Sequence, residues 1–218
     1  EGGGGGPLYA VIANAVERGV SEQTVALLLL FPLIAAMVAF SRQVVGLVGF
    51  GMLVPVLVTA AFLSTGITAG LILFVVIAVA ATLARLVLKR VHLPYLPRMA
   101  VLVWAISLAV LGLLVVSPSL SLEQMTGLGI FPILLMVMLA ESYVEAGITR
   151  TWQTAAMMTA ETIGIALVGY FMVSSAILQS FVLSNPEWSV VLILLMDVMV
   201  GTYKGLRLME VWRFRKLI

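Results

Sequence analysis

Cysteine is absent from this 218-residue chain, and histidine occurs once, at His92. The missing thiols exclude disulfides and thiol chemistry and leave the redox compartment open. With a single imidazole and no thiolate, a zinc site has no ligand set, so no metal is expected. Charge is scarce as well: 10% of the residues are Asp, Glu, Lys or Arg, 62% are hydrophobic, and mean hydropathy is +1.20. A chain folding in water cannot cover that much apolar surface with so few polar groups. Its solvent is therefore lipid. Serines are frequent, but none has a suitable base beside it, so a hydrolytic dyad has no support and no cofactor is expected.

What the chain does contain is a succession of apolar runs. Seven runs of about 20 residues with short connections use nearly the whole length and leave no room for a soluble domain. The fold class read from this is all-α: a polytopic membrane protein, a bundle of seven transmembrane helices. Glu1 and the glycines Gly2 to Gly6 read as a linker on a piece of a longer or processed chain. Leu8 to Arg18 has apolar residues at helical spacing and reads as a short surface helix. Residues 1–20 are thus linker and surface helix, and 21–218 the seven-helix membrane domain.

The first span runs from Thr24 to Phe40, with Pro32 inside it, and Ser41-Arg42-Gln43 reads as a tight turn. The second, Val44 to Leu63, carries Gly46, Gly49, Gly51 and Pro55, which predict close packing and a kink. The third covers Ile67–Leu88 and the fourth Met99–Val116. A capping-box pattern, Ser121 with Gln124, opens the fifth at Leu122, which runs to Val144. The sixth spans Trp152–Val173. The seventh starts where Asn185 can cap, Pro186 takes the first helical position and Glu187 faces the helix's positive end. It turns abruptly basic from Lys204 onward. Gly66-x-x-x-Gly70 and Gly201-x-x-x-Gly205 are spacings that favour close helix contact.

Orientation follows from the bases. With the N-terminus outside, the inner ends and loops hold Arg42, Arg85, Lys89, Arg90, Arg98, Arg150, Lys204, Arg207, Arg213, Arg215 and Lys216, and only Arg18 of the 12 bases stays outside. Basic residues retained on the cytoplasmic side give this bias. The same anchoring explains the isoelectric point near 9.2 without nucleic acid as a partner.

Two acids fall inside apolar runs. Glu161 lies ten residues beyond Thr151 and Asp197 twelve beyond Asn185. At about 1.5 Å per residue each sits roughly 15–18 Å from its own face of the membrane, near the midplane, on consecutive antiparallel helices. An ionised carboxylate there costs several kcal/mol, so each is expected to be protonated, paired or turned to a wet cavity. One reading is a shared proton, a cation site or a polar substrate pocket; the other is a hydrogen-bonded network that locks helix packing. At the cytoplasmic boundary, Glu141, Glu145, Lys204, Arg207, Arg213, Arg215 and Lys216 form a candidate docking cluster, or anchor the helix ends at the interface. A retinal protein is excluded: light-driven pumps place an Asp one turn before the lysine, whereas Asp197 and Lys204 are seven residues apart, with Lys204 about 28 Å along its helix.

FGMLVPVLVTAAFL, TAGLILFVVIAVAATLARLVLKRVHLPYLPRMAVLV and the ending GTYKGLRLMEVWRFRKLI resemble the seven-helix membrane domain that follows an inactive transglutaminase-like domain in many bacterial proteins. The likeness runs from about Val20 to Ile218, and its most specific pieces are the region of Pro55, the Leu93-Pro94 to Pro97-Arg98 loop and the basic tail. It implies a multi-pass protein of the bacterial inner membrane with a preceding extracytoplasmic transglutaminase-like domain lacking catalytic residues. It also implies association with an ATP-grasp protein resembling glutamate ligases and with a retropepsin-like aspartic protease, in osmotic or envelope stress. It carries no functional residue onto this chain. The expectation is a non-enzymatic domain linking an outer sensing domain to cytoplasmic partners. The alternative is a small transporter or channel for an amino acid, peptide or cation that uses Glu161 and Asp197.

Overall fold

The computed structural model describes residues 6–88, 94–120, 129–203 and 205. Among these residues every regular element is helical. The chain divides into two compact units, one formed by residues 1–48 and 168–218, the other by 49–167.

In the first unit, α1 (Pro7–Glu17) is the expected short helix, and α2 (Glu22–Phe40) is the first span. Helix α2 buries Ala26, Leu30, Ile34 and Val38 at every fourth position, and the stripe widens near its end to take in Ala36 and Met37. That stripe packs against α8 (Ala176–Ser184) and α9 (Pro186–Thr202). The tight turn expected at 41–43 does not form. Ser41–Val45 is a π-helical turn that prolongs α2, giving an apolar helix of 24 residues, Glu22–Val45. It closes at Gly46, whose φ is 95°, with the N–H groups of Gly46 and Leu47 donating to the Ser41 carbonyl at 3.0 and 3.1 Å. Gly46 is the first residue after Phe40 that enters the left-handed region without a Cβ penalty, so the helix ends there.

Helix α9 starts where the last span was expected to start, and α8 precedes it; the two meet at a 110° bend. Pro186 cannot extend α8, and it pushes Asn185 out of the helical region, to φ −134° and ψ 61°. Asn185 holds the capping position, but its side chain makes no capping bond; its carbonyl accepts from the Ser189 hydroxyl at 2.9 Å.

The second unit holds α3 (Leu53–Thr65), α4 (Ile67–Leu88), α5 (Tyr95–Val116), α6 (Ile130–Thr149) and most of α7 (Trp152–Val173). Its core is built from Val58, Phe62, Leu73, Ile77, Ile106, Met136 and Leu139, all fully buried. The expected second span is the main departure. Its helix starts only at Leu53 and has 13 residues, about 20 Å, against a hydrocarbon core of about 30 Å. Pro55 therefore lies in a first turn, where its missing N–H has no helical partner to lose, and it starts a helix rather than kinking one. Helix α6 begins at Ile130 after the extended Gly129, and the expected start at Leu122 lies outside the described residues. Ser121 and Gln124 lie outside the described residues.

A single residue, Gly66, joins α3 to α4. Its φ of 79° suits glycine alone, and its N–H donates to the Phe62 carbonyl at 2.8 Å. Four residues on, a Cβ at Gly70 would stand 2.5 Å from Phe62 Cδ1 and 3.0 Å from Thr65 Oγ1. This glycine pair is a true close approach. Of the second pair, Gly201 meets open space among the described residues, and a Cβ at Gly205 would stand 2.6 Å from the Tyr203 hydroxyl.

Five of these helices are long and apolar enough to cross a membrane, six if α8 and α9 make one bent span, and α3 is a shorter apolar helix. Outward-facing Trp104, Leu111 and Val115 of α5, Leu83 and Val87 of α4, and Phe171 of α7 are exposed, as lipid contact requires. The molecule is an all-α, multi-pass membrane protein.

Candidate functional site

Polar groups inside the second unit gather where α7 meets the break before α3. Helix α7 buries Ala155, Thr159, Thr162 and Ala166 along one stripe. The Thr162 hydroxyl donates to the Met158 carbonyl at 2.8 Å and accepts from the Phe50 N–H at 2.9 Å. A Cβ at Gly49 would lie 2.9 Å from the same oxygen, so glycine lets the backbone come this close. The Thr59 hydroxyl of α3 reaches the carbonyls of Pro55 at 2.9 Å and Ala166 at 3.2 Å. Non-helical backbone at membrane depth must find its partners inside the protein, and Thr162 supplies one here.

Glu161 is adjacent in sequence to Thr162. It is half-buried, at the edge of the α7 stripe, and engaged in an interaction. Asp197 is half-buried in the first unit, on the α9 face that also carries buried Ser189, Ile193 and Val200. Both acids thus sit beside packed faces of their helices. They belong to different units, one to each. Beside Asp197 in sequence, Met196, Met199, Val200 and Tyr203 line an apolar groove of about 490 Å³ with Phe40 and Val44.

Of the expected docking cluster, Glu141 and Glu145 are exposed one turn apart on α6. Lys204, Arg207, Arg213, Arg215 and Lys216 lie outside the described residues, as does His92. Glu187, expected to face its own helix end, does more. Its Oε1 accepts the N–H groups of Leu8 at 2.8 Å and Tyr9 at 3.0 Å, the donors that the first turn of α1 leaves unpaired. A carboxylate on the first turn of α9 thereby caps α1, with favourable interaction with that helix's positive end.

Arg85 is the polar residue that sequence reasoning placed differently. Counted there as a base at an inner helix end, it is 7% exposed. Its Nη1 donates to the Val144 carbonyl of α6 at 3.4 Å, and its guanidinium carbon stands 4.9 Å from the centre of the Trp152 ring. Trp152 in turn meets Tyr143 at 5.7 Å and fills the space a Cβ on Gly147 would need. The signal was present: Leu73, Ile77, Ala81 and Arg85 recur every four residues, so Arg85 continues a buried stripe of α4.

A family model described as seven transmembrane helices usually fused to an inactive transglutaminase matches residues 13–218. No curated protein matches the chain, and no solved structure does.

Proposed function

Because the chain belongs to the family of seven-transmembrane-helix domains usually fused to an inactive transglutaminase, we propose that it is a non-enzymatic link between an extracytoplasmic domain of that kind and partners in the cytoplasm. The observation that carries this reading is the bond pair from α1 to Glu187. Helix α1 lies where a preceding domain joins the chain. Glu187 opens the helix that leads into the basic tail. A displacement of α1 therefore acts directly on the element nearest that tail. In this reading the domain begins near residue 21, the N-terminus is outside the bacterial inner membrane, and the 11 inner bases lie toward its cytoplasmic side, Arg85 buried among them. Lys204, Arg207, Arg213, Arg215 and Lys216, with Glu141 and Glu145, dock an ATP-grasp protein resembling glutamate ligases and a retropepsin-like protease during osmotic or envelope stress. The test is capture of those two proteins by full-length protein truncated before Trp212, alongside a Glu187→Ala variant scored for complementation under stress. Truncation is expected to leave the bundle folded and to abolish capture. Glu187→Ala is expected to fold and to lose complementation. Undiminished capture by the truncated protein would overturn the docking role.

A second reading is favoured by the break at residues 46–52, because interrupted helices line the binding sites of small transporters. Glu161, next to the Thr162 that holds this break, and Asp197 are then midplane acids that bind a cation, amino acid or peptide. Proteoliposome uptake separates the readings: Glu161→Gln and Asp197→Asn abolish transport in this case and leave a packing role untouched. Absence of uptake of every candidate by the wild-type protein removes the transporter.

A further inference from the structure

Arg85 presents a physical problem that its described neighbours do not solve. A guanidinium carries five N–H donors and a full charge, and burying it costs several kcal/mol unless an anion and further acceptors meet it. Here one donor reaches a carbonyl at the long distance of 3.4 Å, the Trp152 ring covers a side, and Nε is buried with no partner. The other charge that bears on it is also positive: Arg98, half-buried at the start of α5. In the sequence, Lys89 and Arg90 lie four and five residues further on. Among the described residues no anion pairs with Arg85.

We propose that Arg85 is the central donor of a site for a phosphate oxyanion, one side chain below the surface between α4, α6 and the start of α7. Depth selects the ligand class. Arg85 lies four residues before Lys89-Arg90, where the apolar run of α4 gives way to charge, about 6 Å along the axis and so near the level where hydrocarbon yields to headgroups. Phosphate is the abundant oxyanion at that level, and the planar fork of arginine fits it in a bidentate way that lysine cannot copy. Trp152 has one face over the guanidinium and is 42% exposed, so the ring is the cover that a headgroup meets first. The same chemistry serves a lipid phosphodiester and a free phosphate ion.

The experiment uses the whole chain in maltoside micelles, which carry no phosphate, with phosphatidylglycerol added in one arm and inorganic phosphate in the other. Thermal unfolding is read for wild type, Arg85→Gln, Arg85→Lys and Trp152→Leu. Wild type is expected to gain about 4 °C or more at saturation in at least one arm. A gain with phosphatidylglycerol alone identifies a headgroup site, and a gain with inorganic phosphate identifies a free-anion site. Arg85→Lys keeps a cation in place, loses the fork and is expected to retain less than half the gain; Trp152→Leu keeps Arg85 and retains the gain. Should Arg85→Gln fail to fold, the lysine variant and the retention of one lipid per wild-type chain in native mass spectrometry decide the matter. Equal gains in wild type and Arg85→Lys, or no gain in either arm, overturn the site.

Discussion

At the scale of single residues, the two helical glycines Gly70 and Gly112 separate packing from propensity. Both lie inside membrane helices, α4 and α5. A Cβ at Gly70 would stand 2.5 Å from the fully buried Phe62 ring, and a Cβ at Gly112 would meet nothing within 4 Å among the described residues. Replacing glycine by alanine in a helix interior gains up to about 1 kcal/mol. Forcing a methyl into a packed core costs about 1–3 kcal/mol. Gly70→Ala is therefore expected to destabilise the protein, and Gly112→Ala to leave it unchanged or stabilise it. Unfolding midpoints in one detergent check this, and equal midpoints for the two variants would remove the claimed close approach. Sequence spacing singled out Gly70 correctly, while Gly201 meets open space among the described residues. The difference is the neighbour: a small residue is a contact only where a large one such as Phe62 arrives to fill it, and spacing does not name that neighbour.

Among the elements, the interrupted stretch between α2 and α3 makes the sharpest demand. Phe50 is buried, and its N–H has Thr162 Oγ1 as acceptor at 2.9 Å. Thr162→Val keeps the shape of the side chain and leaves that donor unpaired, at a cost of about 1–3 kcal/mol. Thr162→Ser keeps the oxygen and is expected to stay near wild type in thermal unfolding. If Thr162→Val unfolds at the wild-type temperature, the threonine does not hold the segment. The boundaries of α4 and α7, apolar runs bounded by polar residues, were legible in the sequence to the residue. The break was only half legible. Gly46, Gly49, Gly51 and Pro55 stood out, yet the same residues suit a kinked continuous span, and the hydroxyl that settles the question lies 112 residues away in the chain. The bend at Asn185 was legible as a helix start, while the stretch before it reads in the sequence only as polar-edged and folds as α8.

At the level of the whole molecule, orientation is a property of the bases taken together, and the absence of cysteine makes it easy to measure. Single cysteines at His92 and Arg150 are expected to react with membrane-impermeant thiol reagents only after the inner face is exposed, and those at Ser64, Ser119 and Ser184 from outside in intact cells. Labelling of the His92 position in intact cells would reverse the assignment. The shortness of α3 also bears on how the chain enters the membrane. A helix of about 20 Å is a poor substrate for insertion by itself, since too little of it matches the hydrocarbon thickness. Its polar side chains are muted, with the hydroxyls of Thr59, Ser64 and Thr65 each bonded back to a carbonyl three or four residues earlier. Joined through Gly66 to the 22 residues of α4, it has a partner that partitions strongly. The two helices are therefore expected to enter the bilayer together as a hairpin, so that in a microsome insertion assay a chain ending at Gly66 leaves α3 uninserted and one ending after Leu88 inserts it.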